Sequence, residues 1–262
     1  MRIKIQQFLF GKSHSWSVVG QNFARAFLKA GHDVDLISTD GFEDKYCSTE
    51  FKEHIKQVAI GKYDLQLSYT APHNWPAYLN PNLGGFKAAI WNYEYNGKNL
   101  LPGFAKYYNA TDQVLPSSNF TKEVFSNMKI PENKMMVVPH GINLKDFENK
   151  EKYKLKTNKD KKILLNIAQP HRRKAIHLAL ESFGQAFNKD DDVCLVAKIL
   201  IANKSEQVFN VDWWKLYGDF ERKFPNHAEV EVVTEFIPEI ATLYNACDIN
   251  FSATYAECWH FT

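Results

Sequence analysis

One stretch constrains the fold more than any other: residues Asp112–Phe147, DQVLPSSNFTKEVFSNMKIPENKMMVVPHGINLKDF. It reads as a short strand over Gln113–Leu115, a Pro-Ser-Ser turn, a helix, a Pro-Glu-Asn turn and a second apolar run, Met135–Val138, that ends in Pro139-His140-Gly141. Ser118 or Asn119 is placed to cap the helix, and Glu123, read within its first turn, favours the amide end. Strand, helix, strand is the βαβ unit, and it implies a parallel sheet because parallel neighbours need a crossover connection. In such sheets ligands gather beyond the carboxyl ends of the strands, which is where Pro139-His140-Gly141 falls.

The chain before this stretch follows the same rhythm. Arg2–Ile5 begins a strand, and a polar loop from Gly11 to Ser17 leads into a helix read from about Ser17 to Ala30, with Val18, Val19, Phe23, Ala26 and Phe27 as its apolar stripe and Gly31 as its stop. His32–Ile37 is the next strand, and a short helix is read around Thr49–Gln57. Gly11 and Gly20 do not make a dinucleotide fingerprint, which needs a spaced trio of glycines. Gly11 is read as a turn glycine that either also touches substrate or serves the turn alone. Tyr63–Tyr69 and Lys87–Asn92 are two more strands, the second delivering Tyr93-Glu94-Tyr95-Asn96-Gly97 to a loop. Glu94 there is either a ligand for a sugar hydroxyl or a solvated loop carboxylate. His73, without a partner in sequence, is read as structural or solvent-facing.

The run from Glu148 to Lys162 is dense in charge and reads as a solvated connection. It divides the chain into a first Rossmann-like domain over residues 1–150, a linker over 151–162 and a second Rossmann-like domain over 163–262. Ile163–Ala168 is an apolar strand of the type buried on both faces in parallel sheets. The loop that follows it, Gln169-Pro170-His171-Arg172-Arg173-Lys174, carries three adjacent cations into a helix read over Ala175–Phe187. The run is either a basic first turn exposed to solvent or an anion site; cations at a helix N-terminus oppose its dipole, so the placement favours an anion between them, and free helix amides suit a diphosphate. The rest of the domain reads as a strand at Val193–Ile199 and a helix with Trp213, Leu216, Tyr217 and Phe220 on its core face, Trp214 lying beside them. A strand at Val230–Thr234, the loop Glu235–Glu239, a helix at Ile240–Ala246 and a strand at Cys247–Ala253 complete it.

Composition removes several function classes. With 32 Lys plus Arg against 30 Asp plus Glu, the net charge of +2 provides no broad field for nucleic acid. The four cysteines form no CxxC pair, and no apolar run reaches the length of a membrane span, so a reduced, cytoplasmic protein without a zinc site is expected. Peripheral contact at the inner membrane face is left open.

PSSNFTKEVF followed by PENKMMVVPHGIN, together with the basic loop after Ile163–Ala168, resembles the retaining glycosyltransferases of family 4. That resemblance implies the GT-B fold: two α/β doubly wound parallel-sheet domains facing a cleft, the second incomplete at Thr262. It implies transfer of a hexose from a UDP- or GDP-linked sugar to a carbohydrate, lipid-linked or small-molecule hydroxyl acceptor, with no metal or other cofactor required. By the same resemblance Lys174 and Arg173 neutralise the leaving diphosphate. Gln169 and Ala175 depart from the usual Arg and Gly, which leaves open whether Arg172 or Arg173 supplies the missing charge. Glu257 matches the first acid of a paired-glutamate motif and faces the donor sugar, with Cys258 and Trp259 in the same loop. Phe236 and Ile237 lie where backbone groups meet the nucleotide base. Gly11, Glu94, His140 and Gly141 fall on the acceptor and cleft side. The alternatives are a non-catalytic nucleotide-sugar or glycan-binding fragment, and another GT-B enzyme such as a sugar phosphorylase or epimerase.

Overall fold

The computed structural model describes residues 1–11, 15–93, 103, 106–158, 160–200 and 211–255. Its contacts divide the chain into two compact units, with the division between Asn143 and Leu144.

The first unit is a five-stranded sheet of β1 (Arg2–Gln7), β2 (Asp33–Ser38), β3 (Leu65–Tyr69), β4 (Phe86–Ile90) and β5 (Gln113–Leu115), in the order β2-β1-β3-β4-β5. Every pairing is parallel. Side chains alternate across a strand, and the two faces accordingly bury different sets. Ile3, Ile5, Leu67, Ala88 and Ile90 meet Val19 and Ala24 of helix α1 (Ser15–Lys29) on one face. On the other, Ala89 and Val114 meet Trp75 and Leu79, from the turn around the short helix α2 (Trp75–Tyr78), and Val124 and Phe125 of α3 (Asn119–Asn127). Gly31, at φ 77°, ends α1 in the left-handed conformation that glycine adopts without strain. Val18, read as part of the apolar stripe of α1, is instead exposed, and Ser17 and Gly20 join Val19 and Ala24 on the buried side. The side chain of Ser118 accepts the Thr121 amide, so Ser118 is the cap of α3, and Glu123 falls beyond its first turn.

Met135–Val138 is not the buried strand its apolar run implies. Met135 makes a single bridge to Val114, Met136 is 54% exposed, and the Met136 and Val138 amides donate to the carbonyls of Val114 and Pro116. Among the described residues the segment is an extended edge to β5, with one strand to pair with.

The second unit orders β6 (Lys162–Ala168), β7 (Val193–Ile199), β8 (Glu229–Val233) and β9 (Ile249–Asn250) as β8-β7-β6-β9, again all parallel. One face packs on helices α4 (Ile176–Ala186) and α5 (Trp213–Lys223) through Ile176, Leu180, Phe183, Trp213 and Phe220. Trp213 is buried and Trp214 exposed, as the helical spacing predicts. The opposite face, with Ile163, Leu165, Cys194, Val196 and Val233, packs on Leu243 of α6 (Ile240–Asn245). Among the described residues only β6 pairs with the strand read over Cys247–Ala253, which shrinks to two residues.

The charged run is bonded along this second unit. Tyr153 and Leu155 pack against the α6 face, the Tyr153 amide donates to the Thr242 carbonyl, and the buried Glu231 carboxylate accepts the amides of Lys156 and Thr157. Two apolar residues in an otherwise charged run are enough to turn it into a strap. Among the described residues, no helix is long and apolar enough to cross a membrane.

Candidate functional site

The carboxyl ends of the second sheet carry the cations. β6 ends at Ala168, and Arg172–Lys174 form one 3-10 turn, capped by His171, whose Nδ1 accepts the Arg173 amide at 3.2 Å. Because Nδ1 accepts, the imidazole is neutral with its proton on Nε2. Burial and the charges of Arg173 and Lys174 hold its pKa below the usual histidine range.

The sequence places these cations at the start of the helix. Instead they occupy a separate turn, set off from α4 by Ala175 at φ 46° and ψ 37°. This is the left-handed region, where a Cβ is strained and glycine is preferred. The glycine usual in the family that the sequence resembles therefore has a conformational reason at this position. Arg172 is exposed, whereas Arg173 and Lys174 are half-buried. Gln169 is also half-buried, and its carbonyl accepts the His171 amide.

The loop after β9 closes on this turn. The Arg173 carbonyl accepts Thr254 Oγ1 at 3.1 Å and the Tyr255 amide at 3.0 Å, while His177 Nε2 lies 3.2 Å from the Tyr255 hydroxyl. Two loops from adjacent strands, β6 and β9, are thereby joined beside the cations. Glu257, Cys258 and Trp259, which follow Tyr255, lie outside the described residues, as does Glu94. At the end of β8, Phe236 is 41% exposed, but the side chain of Ile237 belongs to the core under α6.

The first sheet ends differently. His140 is 5% exposed, and burial lowers its pKa to about 4. The side chain of Asn92 is the hub beside it. Its Oδ1 accepts the Ser117 amide at 3.1 Å, and its Nδ2 donates to the Tyr69 hydroxyl at 2.9 Å and lies 3.3 Å from His140 Nε2. An amide nitrogen only donates, so His140 Nε2 is the acceptor and the proton sits on Nδ1. The ring is thus held neutral at the ends of β3, β4 and β5. Gly141 is exposed, and its carbonyl accepts Asn22 Nδ2 at 2.9 Å. Gly11 is buried against the next turn, where a Cβ would fall 1.8 Å from the Asp40 carbonyl oxygen. That approach alone requires glycine.

Two residues escaped the sequence reading. Asn92 passes for the end of an apolar strand, and its signal is a lone amide closing the run Ala88-Ala89-Ile90-Trp91. Lys198 passes for strand filler, and its signal is a cation inside a run whose neighbours are all buried. Among the described residues, no three or more His, Cys, Asp or Glu side chains gather as a metal ligand set would require.

No protein-family model and no curated protein matches the sequence. Solved structures do match the fold. Anabaena HepE, in complex with UDP and glucose, superposes with a TM-score of 0.68 at 12% identity, over 96% of this chain and 74% of that one. The sucrose-phosphate synthase of Thermosynechococcus elongatus gives a TM-score of 0.71 at 13% identity, over 100% and 77% of the two chains. A glycosyltransferase from Rickettsia africae gives 0.63 at 18% identity, over 97% and 73%. At these identities the likeness is one of fold, and the fold is that of the GT-B glycosyltransferases: two parallel-sheet α/β units.

Proposed function

We propose that the chain is a retaining glycosyltransferase of the family 4 type, moving a hexose from a UDP- or GDP-linked sugar to a hydroxyl acceptor on a carbohydrate or lipid-linked molecule, without a metal. The observation that carries this reading is the cationic turn Arg172–Lys174 at the carboxyl end of β6, tied through the Arg173 carbonyl to the loop that leads toward Glu257. Its fold relatives support it, since HepE was solved with UDP-glucose as well as with UDP and glucose.

The chemistry follows from charge. When the glycosidic bond to the diphosphate breaks, negative charge grows on the leaving oxygens, so fixed cations stabilise the transition state more than the ground state. Arg173 and Lys174, half-buried on a turn that is bonded at both ends, lose little freedom in meeting it. Arg172, being exposed, is the weaker claimant for the charge that Gln169 does not supply. Glu257 orients the sugar hydroxyls in this reading, and the acceptor enters from the side of Gly11, Glu94, His140 and Gly141. With its pKa lowered to about 4, His140 stays neutral at physiological pH and acts there as a hydrogen-bonding group rather than a cation.

Calorimetric titration with UDP, GDP and ADP tests the reading. Saturable binding of at least one nucleotide is expected, weakened about ten- to a hundredfold in Lys174→Ala through loss of a charge-assisted contact. Absence of binding by a folded chain, or full affinity in the variant, contradicts it.

A further inference from the structure

Lys198 is the cation that the cationic turn does not explain. It lies near the carboxyl end of β7, only 7% exposed, with Ile167 and Val233 as its register partners on either side. Val196, two residues before it, and both partners border the α6 face of the sheet. Lys198 therefore points to the face opposite α4, the helix that follows the cationic turn. Desolvating an ammonium is costly unless something accepts its hydrogen bonds. Among the described residues Lys198 makes no hydrogen bond and no ion pair, and only the charge of Glu235 reaches it. Glu235 is itself engaged, since one carboxylate oxygen accepts the Tyr153 hydroxyl and the other the Thr234 amide. Three N–H donors thus stand near the carboxyl end of β7 beside a carboxylate oriented elsewhere.

We propose that Lys198 reads the nucleobase of the donor, donating to a ring carbonyl oxygen and so selecting keto bases, uracil or guanine, over adenine. The inference rests on the donor site proposed above. A diphosphate held at the β6 turn leaves its nucleoside two ways to run. The β9 side is occupied by Thr254 and Tyr255, bonded to Arg173. Among the described residues the β7–β8 side is left. Adjacent strands lie about 4.8 Å apart, so crossing from β6 to β8 covers about 10 Å, the reach of a nucleoside from its phosphate to the far edge of its base. Lys198 then offers a donor to the base edge. Adenine presents an amino group where guanine carries its carbonyl, and two donors facing each other repel.

The test is the ratio of affinities for UDP or GDP over ADP, measured by titration in the parent chain and in Lys198→Met, which keeps the stem and removes the charge. In the parent the better keto nucleotide is expected to bind at least about tenfold tighter than ADP, the effect of one charge-assisted bond. In Lys198→Met the ratio is expected to fall below about threefold through loss of the keto nucleotide alone. Lys198→Arg, which retains donors, guards against misfolding and is expected to keep the preference. A parent without keto preference, an unchanged ratio in Lys198→Met, or equal weakening of all three nucleotides overturns the inference while leaving the donor site standing. Weakening of all three nucleotides alike in Lys174→Ala, with their ratio kept, separates the two claims, and a parent chain that binds no nucleotide overturns both.

Discussion

The two sheets share an architecture and differ in how their carboxyl ends are finished. In the first unit, the ends of β3, β4 and β5 are closed by neutral groups: Tyr69, Asn92 and His140 bond among themselves and to the Ser117 amide. In the second, the ends of β6 and β7 carry Arg172, Arg173, Lys174 and Lys198, all within one unit. Buried neutral groups bonded to one another contribute to stability. The second edge instead gathers four cations at the ends of two adjacent strands. The same parallel scaffold thus carries a neutral bonded network at one edge and a cluster of cations at the other, which the proposed function assigns to an anion.

Breaking the first network should cost the most. Asn92→Leu strands the buried Ser117 amide and removes the donor to Tyr69 and His140, so a loss of about 3 to 4 kcal/mol is expected from denaturant unfolding. Nucleotide affinity in the second unit should be unchanged, and a loss there of more than about threefold would show that the two edges are not independent.

Acid should act on the first edge in the same direction. The folded pKa of His140, about 4, lies below its ordinary 6.5, so the unfolded chain binds the extra proton first. Its contribution is fully present above about 6.5 and is lost as pH falls toward 4, on the order of 3 kcal/mol in total. Unfolding curves recorded from pH 7 to pH 4 should show this decline, and His140→Gln should flatten it.

The smallest effect concerns the second edge. Ala175→Gly relieves a left-handed residue, worth about 1 to 2 kcal/mol, against loss of one buried methyl, about 0.8 kcal/mol. A net gain of a few tenths to about 1 kcal/mol is expected, readable as a small rise in Tm. A decrease would mean that the methyl, buried at 0% exposure, matters more than the strain.

Much of the fold was legible because buried parallel strands write long apolar runs, as in Ile163–Ala168 and Val193–Ile199. Legibility failed at edges. Met135–Val138 and Cys247–Ala253 have strand composition, but each has a single neighbouring strand to pair with, and pairing, not composition, sets strand length. At the site, the cations of the β6 turn were legible because charge in a loop after a strand is conspicuous. The left-handed geometry of Ala175 was not, since no local signal marks it. Asn92 and Lys198 were hidden for another reason: each sits at or near the end of an apolar run, where a polar side chain looks like punctuation until its three-dimensional neighbours are known.

The claim that the second edge holds the nucleotide is tested most directly by amide hydrogen exchange with and without saturating UDP or GDP. New protection is expected at residues 169–176, 234–237 and 251–255, with residues 66–72 and 88–93 unchanged. Protection confined to the first unit, with residues 169–176 exchanging as before, would contradict it.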